Sequence, residues 1–75
     1  MKSLRNFTAI IEKEDTGYVS LCPELDLASQ GDTIEDARNN LQEAIELFFE
    51  HASKNEIDSR LRNEFFITNM QIAIG

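Results

Sequence analysis

The sequence predicts an α+β domain in two layers, ordered β-β-β-α-β. One helix lies on one face of a mixed, mostly antiparallel four-stranded sheet. Three observations point there: short alternating stretches up to residue 30, one long helical arc from residue 34, and a closing apolar stretch over 65–74. The 75 residues make one domain, 1–75. A chain of this length buries only about 60% of the surface its unfolded form exposes, so self-association is an inexpensive way to enlarge the core.

Residues 4–14 alternate as a half-buried strand, with Phe7, Ala9 and Ile11 on one face and Thr8, Ile10 and Glu12 on the other. Asp15-Thr16-Gly17 is a turn signal, and Tyr18 to Cys22 pairs back to close a hairpin. Pro23 cannot donate to a ladder and ends that strand. Leu25 to Gln30 reads as a third, shorter strand.

At Gly31 the chain turns from sheet to helix, and glycine tolerates the positive φ of a sharp corner. Thr33 is the expected N-cap, Asp36 stands where a capping box has Glu or Gln, and Glu35 and Asp36 favour the positive end of the helix dipole. From Ile34 to about Ala52, Ile34, Ala37, Leu41, Ala44, Ile45, Phe48, Phe49 and Ala52 fall in an arc of roughly 140°, wide enough to cover a sheet. The other side collects Glu35, Asp36, Asn39, Glu43, Glu46 and Glu50, with Leu47 among them. His51, Lys54 and Asn55 suit a helix C-terminus. Residues 56–63 read as a loop tied down by Ile57 and Leu61. The run 65–74 reads as the last strand, with Phe66, Met70, Ile72 and Ile74 in phase. The simplest arrangement puts that strand beside the first and parallel to it.

Composition narrows the function. The net charge is −7, and residues 14–50 hold ten acids against Arg38 alone. Lys2, Arg5 and Lys13 set the other sign near the start. The acidic middle repels nucleic-acid phosphates and attracts a basic surface, so direct nucleic-acid binding is not expected. A lone Cys22 gives no disulfide framework, and no Cys/His spacing suggests a metal site. No signal-peptide apolar region follows Met1, and no apolar run reaches the length of a membrane span, so a cytoplasmic protein away from membranes is expected.

Three catalytic or ligand arrangements are conceivable from these residues. A two-metal nuclease needs convergent carboxylates, yet Glu12 and Glu14 share a strand face near the turn while the helix acids point away from the sheet. Cys22 and His51 lie almost a helix apart with no third orienting group, and a lone strand cysteine is usually a small core residue. The Gly31-Asp32-Thr33 corner carries too many acids to welcome an anion and reads as a cap. No catalytic residue, cofactor or metal is expected.

The order Gly17-Tyr18, Cys22-Pro23-Glu24-Leu25, Ser29-Gln30-Gly31-Asp32-Thr33, Glu35 and Ala37 resembles the HicB antitoxin family over roughly residues 7–50. The resemblance implies a cut-down ribonuclease-H-like sheet. It also implies a partner, a small basic HicA-type RNA-cleaving toxin whose active face the antitoxin covers. Many HicB proteins continue into a DNA-binding domain; this sequence stops at Gly75, so no such domain is expected.

The expected function is therefore toxin neutralisation by a non-enzymatic, self-associating protein, a homodimer or larger. The alternatives are a residual metal-dependent nuclease or a solitary self-assembling domain. Glu24, Asp26, Gln30, Glu43, Glu46 and Glu50 are the expected partner-binding residues.

Overall fold

A computed structural model describes residues 4–75; Lys2 and the stretch after Met1 lie outside them. The element order is β1 (Ile10–Glu14), β2 (Gly17–Cys22), β3 (Leu27–Gly31), α1 (Ile34–His51) and α2 (Lys54–Leu61). The chain is α+β, with a three-stranded antiparallel sheet of order β1-β2-β3. Ile10 pairs with Leu21 and Glu14 with Gly17 across the first ladder, and Tyr18 pairs with Gly31 across the second.

The hairpin closes through Asp15-Thr16, with Asp15 at φ 23°, a region that Asp enters more readily than most residues. Ladder pairing begins only at Ile10, later than the alternation from residue 4 suggests. Phe7 precedes it and stacks against Phe49 of α1, with ring centroids 5.7 Å apart. The third strand also starts later than its pattern. Pro23 to Asp26 form the turn between β2 and β3, and Leu25 is fully buried in that turn instead of opening the strand.

Ser20 and Cys22 face α1, because alternation along β2 puts them on one side and Val19 and Leu21 on the other. The core is Cys22, Leu25, Ala37 and Leu41, with Phe7, Leu27, Ile45, Phe48, Phe49 and Leu61 packed around it. Ser20 is buried among them and its hydroxyl donates to the Ala37 carbonyl at 2.7 Å, so strand and helix are joined by a satisfied polar contact. The side chain of Asn40 adds a second tie, donating to the Gln30 carbonyl at 2.8 Å.

Gly31 serves a different purpose from the one expected. Among the described residues no glycine has positive φ. A Cβ at Gly31 would lie 2.5 Å from the Ala37 nitrogen and 2.7 Å from atoms of Asp36. Glycine is therefore required for the end of β3 to approach the first turn of α1. The helix itself starts as expected: the Thr33 hydroxyl accepts from the Asp36 N–H at 3.0 Å.

Two expected elements are corrected. Residues 56–63 read as a loop and Lys54 and Asn55 as the end of the first helix, but α1 ends at His51 and Lys54–Leu61 form α2. Ser53 caps it by accepting from the Glu56 N–H at 3.1 Å, and Ile57 and Leu61, one turn apart, are its half-buried side. The expected fourth strand is absent from the sheet: residues 65–74 belong to no ladder and no helix among the described residues. Phe66 is 87% exposed, Ile74 94% and Met70 76%. Strand-like alternation makes a segment able to pair, but the edge it pairs with must lie alongside. The radius of gyration reflects this, at 14.8 Å against about 11 Å for a compact chain of this length. The sheet found has three strands, and the ribonuclease-H-like form expected with a fourth is not reproduced in the single chain.

Candidate functional site

The acidic surface is built from α1 outward. Once Ala37, Leu41, Ile45, Phe48 and Phe49 turn toward the sheet, helical periodicity fixes the opposite side. Asp36, Glu43 and Glu50 recur every seven residues, and Glu46 and Leu47 fill the space between the last two. All five are exposed, Leu47 at 46%. Seven residues fall about 20° short of two full turns, so this row runs almost straight for about 21 Å along the helix.

At its N-terminal end the row meets a shallow groove lined by Glu14, Asp15, Asp32 and Asp36, where the hairpin tip approaches the start of α1. Asp36 belongs to both. Acidic side chains thus line one side of the molecule in a band from the β1–β2 turn to the end of α1, with the neutral Asn39 and Asn40 between Asp36 and Glu43. Arg38, the lone base of this part of the sequence, points elsewhere, toward Asn39 and Gln42.

The six residues expected to meet a partner fall into three places. Glu43, Glu46 and Glu50 lie together on the band. Gln30 pairs across the ladder with Val19 and lines the groove at the N-terminal end of the band. Glu24 and Asp26 are in the turn between β2 and β3.

Glu24 has structural employment. Its carboxylate accepts from the Thr8 N–H at 2.9 Å and the Thr8 hydroxyl at 2.7 Å, and the Cys22 thiol sits 3.5 Å away. Burial disfavours its charge, but the hydrogen bonds from Thr8 outweigh that and hold the carboxyl below its ordinary range. It ties the segment before β1 to the turn. Asp26 is exposed with φ 53°, and its carbonyl, 3.5 Å from an Arg60 nitrogen, takes part in a contact the sequence did not reveal.

That contact centres on Arg60 of α2. Its guanidinium donates to the Leu25 carbonyl, lies 5.2 Å from the centroid of the Phe48 ring and stands 3.7 Å from Glu56. One planar cation thus joins α2, the turn and α1. The sequence signal for α2 was present: Ser53 and Glu56 have capping-box spacing, followed by Ile57 and Leu61.

Cys22 is fully buried, and that burial, reinforced by the nearby Glu24 carboxylate, raises its thiol above the ordinary range. It stays protonated at neutral pH and serves as a small apolar core residue. His51 is exposed at the end of α1. Among the described residues, no three His, Cys, Asp or Glu side chains gather where they would hold a metal ion. Among them, too, no helix is long and apolar enough to cross a membrane.

Known proteins similar to the chain are named UPF0150. A UPF0150 protein of Helicobacter pylori is 35% identical over 68 residues, covering 89% of this chain and 94% of its own. Two UPF0150 proteins of Synechocystis are 51% identical over 51 residues and 53% identical over 45. Those alignments cover 65% and 57% of this chain, and only 65% and 62% of the respective Synechocystis proteins. No family model matches the chain, and no solved structure matches it.

Proposed function

The chain belongs to the UPF0150 family, and from that premise we propose that it is a HicB-like antitoxin, a non-enzymatic protein that covers the active face of a small basic HicA-type RNA-cleaving toxin. The observation that carries this reading is the anionic band, with Asp36, Glu43, Glu46 and Glu50 exposed along one side of α1 and Leu47 among them.

Such a surface resembles a row of RNA phosphates in charge. Its field accelerates encounter with a cationic protein, and like charge keeps RNA itself away. Leu47 supplies an apolar anchor in the middle of the band, where dehydration by a partner yields affinity that surface charge alone does not. Core residues hold the helix rigid, so the band is presented in one shape.

A test uses the reading frame adjacent to the one encoding this chain. The proposal predicts that it encodes a short basic protein with a histidine, that its expression arrests growth by cleaving RNA, and that co-expression of the chain relieves the arrest. Arrest that continues unchanged at matched or higher levels of the chain overturns the reading.

A further inference from the structure

We propose that the fourth strand of the sheet is supplied by a second copy of this chain: residues 66–74 of one molecule lie along the outer edge of β1 in its partner, and the exchange is reciprocal about a two-fold axis. The inference is independent of the proposed function.

The first ground is the segment itself. Phe65 to Gly75 contains no charged residue in a chain that is 28% charged, and no proline. It combines β-branched, aromatic and apolar residues, a composition that pairs with other strands unless it is already paired. Phe66, Ile67, Met70, Ile72 and Ile74 are 63–94% exposed. Apolar exposure this concentrated marks a surface that another molecule covers.

The second ground is the receiving edge. In the order β1-β2-β3, β1 has one side unpaired among the described residues, and α1 lies mainly over β3 and β2. The layer is therefore short of a strand on the β1 side. Residues 63–67 run past Thr8 and Glu24, next to the start of that edge, before the chain leads outward. The principal extents of 52 × 28 × 20 Å show a molecule drawn out along one axis, as a strand donor is.

Electrostatics restricts where two copies can touch. Each copy carries a net charge of −7, so two copies repel over most of their surfaces. The uncharged segment is where they can meet. Reciprocal exchange covers five large apolar side chains per copy together with the β1 edge of each. A closed two-fold exchange fills the β1 edge of both copies and leaves neither donor segment free to recruit a third.

The test is sedimentation of the full chain with hydrogen exchange read at individual amides. The wild type is expected at twice 8.6 kDa, with protection over residues 66–74 and at the outward amides of Ile10–Glu14 that fades together on dilution. Gln71→Pro and Ile72→Pro are neighbours, so their amides point to opposite sides of an added strand and one of the two falls on the ladder. That variant is expected to weaken the dimer roughly tenfold or more, and the other to do so much less. Met70→Lys with Ile72→Lys should leave a folded monomer. A wild-type monomer in which both segments protect each other would mean the strand folds back within one chain, and would overturn the proposal. So would a dimer indifferent to both prolines, or one whose β1 amides exchange freely.

Discussion

Replacing Arg60 by alanine tests whether α2 is held by the turn it touches or by its surface ion pair. The charged hydrogen bond to the Leu25 carbonyl contributes about 1.5–3 kcal/mol in a sheltered setting, and part of that is lost to solvent here. Contact with the Phe48 face adds about 0.5–1 kcal/mol. Arg60 and Glu56 are 31% and 49% exposed, so their pairing contributes at most about 0.5 kcal/mol. The expected loss is about 2 kcal/mol, a fall in Tm of roughly 10 °C for a domain of this size. Urea unfolding followed by circular dichroism measures it. Arg60→Lys should retain under half the stabilisation, because an ammonium has neither the planar fork nor the stacking face. Glu56→Gln should lie within about 0.5 kcal/mol of wild type. The reasoning fails if Glu56→Gln costs as much as Arg60→Ala, or if Arg60→Ala is silent.

Three further outcomes follow from the geometry. The depressed Glu24 carboxyl contributes stability that is full above the ordinary glutamate pKa, near 4.3, and disappears as pH falls through its lower folded value; Glu24→Gln should lose about 1–2 kcal/mol at pH 7 and flatten the acid side of the stability curve. Gly31→Ala forces a Cβ to 2.5 Å from the Ala37 backbone nitrogen and should cost about 2–4 kcal/mol by thermal or urea unfolding, whereas Gly75→Ala, with nothing within 4 Å, should be neutral. Cys22, buried and protonated, should react with a thiol reagent at neutral pH only as fast as the domain opens, so denaturant should speed labelling in step with unfolding.

What the sequence reveals and what it conceals divide by distance along the chain. The hairpin, the Thr33 cap and the apolar arc of α1 depend on residues within a turn or two of one another, and they are read directly. The α2 helix is local as well, with its Ser53–Glu56 cap in plain view, but its few apolar residues give little periodicity. Glu24 acts on Thr8 sixteen positions away and Arg60 on Leu25 thirty-five away, so both look like ordinary charges until the chain is folded. Gly31 shows the same limit: its sequence context suggests a backbone angle, while its role is the room it leaves for α1. The run 65–74 announces that it can be a strand, but alternation does not name the edge that receives it. The acidic residues of α1 are legible as a face because helical periodicity is local, whereas Glu24 is drawn off to Thr8 by the turn.

Association kinetics test the anionic band most directly. If the chain binds a small basic toxin as proposed, the rate constant for their association should fall steeply as salt rises, and changing Glu43, Glu46 and Glu50 together to Lys should slow it at least tenfold at low salt. These exposed positions should leave unfolding within about 0.5 kcal/mol per site. A triple variant that associates as fast as wild type at low salt, with the same salt dependence, would contradict the account.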